Sequence, residues 1–192
     1  MPEDIRAAAA KHYDLDSDPL EDAPFYKRLI PSPQAQVLEL GCGTGRVTVP
    51  LAASCGYIHG IDRSPAMIAI CRQKLERADI GAAKVRVEVG DITNLDLGRK
   101  FDLIVAPYRV MQNLETDREV EGLFECIRKH LAPDGRCILN VFNPQREPES
   151  MRQAWSSTDE IFCWEMPVEG GKVVHHERRP RMDPVKLVLY PE

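Results

Sequence analysis

The run Val37-Leu-Glu-Leu-Gly-Cys-Gly-Thr-Gly-Arg46 constrains this chain more than any other stretch. An apolar segment suited to a buried strand enters a glycine-rich turn, and a helix-compatible segment begins directly after it. Glycine serves where the backbone must turn left-handed or come close to another backbone or a ligand. A second apolar run, Tyr57-Ile-His-Gly-Ile61, closes on Asp62, a position from which a carboxylate on the next strand grips ribose hydroxyls. The two features together argue for a nucleoside-containing cofactor.

The glycine spacing selects among such cofactors. The dinucleotide fingerprint G-x-G-x-x-G/A needs a third small residue for close helix-on-strand packing, and Arg46 stands there instead. A nicotinamide-dependent oxidoreductase is therefore the weaker reading. The pattern Glu39-x-Gly41-x-Gly43-x-Gly45 resembles motif I of the class I S-adenosylmethionine (SAM)-dependent methyltransferases. The sequels follow in that family's order: Gly60-Ile-Asp62 with Ser64-Pro65, then Val89-Gly-Asp91-Ile92, then Phe101-Asp-Leu-Ile-Val-Ala106. Leu131-Ala-Pro-Asp-Gly135 precedes a further apolar run, Arg136 to Phe142. The resemblance covers residues 35–143, and the ordered set is far more specific than any single motif.

The resemblance implies a doubly wound, mostly parallel Rossmann-like sheet of strand order 3-2-1-4-5 with a C-terminal antiparallel extension. It divides the chain into a helical arm (1–34), a SAM-binding domain (35–143) and a hairpin or cap segment (144–192). It further implies that Glu39, Gly41 and Gly43 shape the pocket for the methionine and ribose portions, and that Asp62 accepts from both ribose hydroxyls. Asp91 and Ile92 match the loop that meets the adenine ring, with Arg63 and Met67 covering its other face. Tyr13, on the arm, is the candidate for the tyrosine that similar enzymes place near the cofactor. Arg46 is expected to be salt-bridged or solvent-facing.

Local signals agree with alternating strands and helices, the pattern of a parallel sheet covered on both faces. Val47 to Ala53 continues the helix begun at the glycine loop, and Lys84 to Val89 alternates like the third strand. Ser64 is a plausible N-cap with Pro65 at the first helical position, and Met67, Ile68, Cys71 and Leu75 share one face. Thr116 and Glu119 form a capping box ahead of a stripe of Val120, Leu123, Phe124, Ile127 and Leu131, with Pro133 and Gly135 ending the helix.

A chain of 192 residues is long enough to bury a real core, and its formal charge of −5 gives no global attraction to phosphate backbones. The N-terminus has no apolar signal core and no run approaches bilayer length, so a cytoplasmic location is expected, without membrane association. The six cysteines are scattered, with no C-x-x-C pair or histidine at ligand spacing, and read as reduced thiols rather than a metal site. Cys42 reads as a small residue filling a tight turn.

Methyl transfer from a sulfonium needs positioning and desolvation more than a shared triad, and no catalytic residue is legible. Ala106-Pro-Tyr-Arg109 lacks the initial Asn or Asp of the Asn-Pro-Pro-Tyr motif of amino methyltransferases, which disfavours DNA base methylation, and the acidic remainder of the chain with no recognised RNA-binding module favours a small-molecule acceptor. Tyr108, Arg109 and Asn113 nonetheless sit beyond a strand's carboxyl end, where open sheets place ligands. Downstream, Glu169-Gly-Gly171 is a hairpin signal between extended runs, and adjacent His175 and His176 point to opposite strand faces and cannot jointly chelate. Either Glu160 to Arg178 supplies the antiparallel strand pair with which the family usually ends its sheet, or this hairpin is an inserted cap and those last strands are missing, the reading that the strand-like run Val185 to Tyr190 close to the terminus favours; the C-terminal segment is a candidate homodimer surface. An incomplete, non-catalytic binding module is thus the alternative to an active methyltransferase.

Overall fold

Parallel strands covered on both faces must be apolar almost throughout, and the central strands obey this. The computed structural model describes Ala10, Tyr13, Asp14, residues 22–141, and the backbone of three short strands beyond them. Strands β1 (Gln36–Leu40), β2 (Tyr57–Asp62), β3 (Val85–Val89), β4 (Phe101–Ala106) and β5 (Leu131–Leu139) form one sheet of order β3-β2-β1-β4-β5. Every pairing in it is parallel. The sheet order is the expected one. β1 and β4 occupy the centre and are buried along almost their whole length, whereas edge strand β3 alternates buried and exposed residues.

Successive side chains on a strand point to opposite faces, so β1 feeds two cores. Val37 joins Leu103, Val105 and Ile58 in a layer closed by α1 (Ala23–Arg28), α2 (Thr48–Ala52) and α3 (Pro65–Arg77), which contribute Tyr26, Leu51, Ile68, Cys71 and Leu75. Leu38 and Leu40 join Ile61, Phe101 and Ile104 beneath α4 (Asp117–His130), which contributes Leu123 and Ile127.

The helix ends follow their local chemistry. Ser64 Oγ accepts from the Met67 amide at 3.2 Å with Pro65 opening α3, and the buried face is Met67, Ile68, Cys71 and Leu75 as expected. Thr116 and Glu119 form the reciprocal capping box of α4.

Three details differ from the sequence reading. Phe124 is 47 % exposed; the sheet instead receives Leu123, Cys126, Ile127 and His130, a narrower face at three- and four-residue spacing. Leu131 is extended (ψ 133°), so α4 stops at His130 and Pro133 to Gly135 fall in the irregular start of β5, where the register against β4 shifts. The helix after the glycine loop is one residue shorter at each end than expected.

Beyond β5, strands β6 (Met166–Val168), β7 (Gly171–Val174) and β8 (Val188–Pro191) pair antiparallel in a separate sheet. The remainder of the expected 144–192 segment, with His175 and His176, lies outside the described residues. Among the described residues no helix is long and apolar enough to cross a membrane, and no cluster of His, Cys, Asp and Glu could hold a metal ion.

Candidate functional site

Strand order reverses between β1 and β4, and open α/β sheets bind ligands outside the carboxyl ends at such a switch point. A cavity of about 450 Å³ opens there. One wall is the glycine loop with Glu39; the facing wall is the segment from Pro107 through the 3-10 turn Val110–Asn113; Asp62 and Met67 close the side toward β2.

The loop is tied to β2 by its own backbone, since Gly41 and Cys42 amides both donate to the Ile61 carbonyl, at 2.8 and 2.9 Å. Gly41 has φ +72°, and a Cβ there would lie 2.4 Å from Val110 Cγ2, so the two walls meet only because this residue is glycine. Gly45 has φ +84°, and a Cβ would strike Cys71 Sγ at 2.5 Å, which is how α3 packs against the loop.

Asp62 is 2 % exposed, and its carboxylate is fixed by amides on both sides: Gly43 donates to Oδ2 and Ser64 to Oδ1, each at 2.9 Å. A carboxylate oxygen has two acceptor sites, so each oxygen keeps one for a ligand hydroxyl. Glu39, also 2 % exposed, accepts from Thr48 Oγ1 at 2.6 Å. Burial pushes its carboxyl up to about 8, with the Thr48 hydrogen bond pulling the other way. Cys42 is buried as a turn-filling residue; its contact with the Cys71 thiol, followed by burial, raises it above the ordinary thiol range.

The arm reaches the loop through Asp14, whose Oδ1 accepts from Thr44 Oγ1 at 2.8 Å and whose Oδ2 meets Lys74 Nζ at 2.7 Å. Lys74 Nζ also donates to Thr44 Oγ1 at 3.2 Å. Adjacent Tyr13 lines the cavity. Arg46 forms an ion pair with buried Asp22 and lies over the Tyr108 ring, 5.7 Å from its centroid.

A family model described as a methyltransferase domain matches residues 37–135 of the chain. The chain belongs to this family. It is 30 % identical over 105 residues to a dTDP-3-amino-3,6-dideoxy-alpha-D-glucopyranose N,N-dimethyltransferase of Streptomyces fradiae, a match covering 55 % of this chain and 38 % of that protein. It is 28 % identical over 131 residues to a dTDP-3-amino-3,4,6-trideoxy-alpha-D-glucopyranose N,N-dimethyltransferase of Streptomyces venezuelae, covering 68 % and 51 %. The chain thus spans about half or less of the length of these relatives. Its fold is similar to a SAM-bound amino pentose methyltransferase from Micromonospora echinaspora, with TM-score 0.61, 20 % identity, and coverage of 100 % and 85 % of the two chains.

Of the expected site residues, Tyr13 from the arm and Glu39, Gly41, Gly43, Asp62 and Met67 from the matched domain come together around the cavity. Arg63 is exposed and outside its lining. Asp91 and Ile92 are also outside it: Asp91 Oδ1 accepts from the Thr93 amide and hydroxyl, at 2.9 and 2.7 Å, and Ile92 packs on the α4-side core. The sequence reading missed Asp14, Thr44, Lys74 and Asn140, because their contacts join distant segments; the nearest signal was an acid directly after Tyr13.

Proposed function

We propose that this chain binds SAM in the switch-point cavity and transfers its methyl group to a small-molecule acceptor. The observation that carries the reading is Asp62, a buried carboxylate fixed by two amides with an acceptor site left on each oxygen, beside a left-handed glycine turn. That suits a vicinal diol, the defining polar group of a ribose. Membership in a methyltransferase family and the amino-sugar N,N-dimethyltransferases among the relatives support the reaction class.

SAM supplies an electrophilic methyl carbon on a sulfonium. The chain's residues bind, orient and exclude water. Asp62 receives the ribose hydroxyls; Met67 offers an apolar surface to one face of the adenine ring; Glu39 sits where an ammonium or sulfonium would favour its ionised form. Tyr13, beside Asp14 and its contacts to Thr44 and Lys74, lines the cavity and would help exclude water from it. Asp91 and Ile92, following β3, are proposed adenine contacts, and Arg63 a proposed outer contact.

Asp62→Ala tests the assignment directly. It should weaken S-adenosylhomocysteine binding by roughly 2 to 4 kcal/mol, the loss of two charge-assisted hydrogen bonds. Calorimetric titration of both proteins measures this, and unchanged affinity would rule out the ribose role.

A further inference from the structure

The wall facing the glycine loop carries the only non-glycine left-handed pair of adjacent residues among the described ones: Tyr108 at φ 54° and Arg109 at φ 61°. Such conformations are strained for residues other than glycine and persist where surrounding contacts hold them. Here the Arg109 amide donates to Asn140 Oδ1 at 3.0 Å, with Asn140 itself 1 % exposed, and Asn113 Nδ2 donates to the Arg109 carbonyl at 3.1 Å. The strain is therefore maintained from both sides, and its result is that two adjacent side chains line the cavity.

Their chemistry is specific. The Arg109 guanidinium carbon lies 5.0 Å from the Tyr108 ring centroid, on a ring that also carries Arg46. Arg46 is neutralised by Asp22, but no ion pair of Arg109 exists among the described residues. The acids of the cavity belong to its other two sides, Glu39 beside the glycine loop and bonded to Thr48, and Asp62 toward β2 and held by two amides. A guanidinium resting on an aromatic face keeps its planar fork ordered, and that fork matches the two oxygens of a carboxylate or phosphate.

We infer that the methyl acceptor carries an oxyanion, a carboxylate or a phosphate, which Arg109 receives above the Tyr108 ring. The inference rests on the proposed function, because Asp62 assigns the nucleoside to the β2 side and leaves the β4 wall for the acceptor.

The test uses the full chain saturated with S-adenosylhomocysteine, titrated separately with inorganic pyrophosphate and with succinate. The wild type should bind at least one, and which one distinguishes a phosphate from a carboxylate source. Arg109→Asn, chosen because asparagine tolerates the left-handed backbone, should weaken that anion at least tenfold. Its S-adenosylhomocysteine affinity should stay within threefold of wild type and its Tm unchanged. Arg109→Lys should restore the anion only in part, since an ammonium lacks the fork. The inference is overturned if neither anion binds the wild type, if Arg109→Asn binds it equally well, or if the loss falls on S-adenosylhomocysteine instead. Failure of the wild type to bind S-adenosylhomocysteine would sink the cofactor reading, and the same anion titration of the free chain would still judge Arg109.

Discussion

Glu39 is a carboxyl whose surroundings resist its charge. Its value rises from the usual 4.5 to about 8, chiefly through burial. A group raised on folding contributes stability that is complete below pH 4.5 and is lost as pH climbs through about 8, because the unfolded chain releases the proton first. Glu39→Gln keeps an acceptor for Thr48 and removes the titration. Between pH 5 and 9 the variant should show a flatter stability profile, gaining on the order of 4 kcal/mol over wild type at the alkaline end. Urea unfolding at both limits measures this; parallel profiles would mean that Glu39 is ionised in the free protein. At this scale the glycines and Asp62 were legible because turn geometry and carboxylate chemistry leave little choice of residue. Asn140, which bonds the Arg109 amide across 31 positions, leaves no such trace.

Elements were legible where period and cap agree. In α4 the Thr116 and Glu119 capping box marks the start, and the apolar spacing marks the face. Thr116→Ala should cost about 1 kcal/mol, read as a lowered urea midpoint with unchanged slope. No change would imply that packing of Leu123 and Ile127 alone fixes the helix. The opposite end was not legible, since nothing local decides that Leu131 leaves the helix and pairs opposite Phe101. Nor does periodicity alone choose Cys126 and His130 over Phe124. His130 is retained because both ring nitrogens find backbone partners, the Cys126 carbonyl at 2.7 Å and the Leu97 amide at 2.9 Å.

At the scale of the molecule, strand order places two unlike walls across one cleft, and the arm completes it. Beside α1 and the Asp22–Arg46 pair, the arm's early part is held by Asp14, whose partners Thr44 and Lys74 belong to the glycine loop and α3. Asp14→Ala should speed S-adenosylhomocysteine release several-fold while changing Tm little, because the pair is partly exposed. Stopped-flow displacement measures the rate, and an unaltered rate would separate the arm from the cofactor. Alternation of strand and helix made the covered parallel sheet readable, and the family resemblance supplied its strand order, whereas the wall facing the glycine loop depends on contacts between the segment after β4, the 3-10 turn and Asn140 beyond β5.

Whether the switch-point cavity takes an adenosyl-sulfur cofactor is decided by calorimetric titration of the wild-type chain with SAM, S-adenosylhomocysteine and NADH at one salt concentration. Saturable binding of the two adenosyl-sulfur ligands, with none for NADH, is the expected result. Binding of NADH alone, or of none of the three, would contradict it.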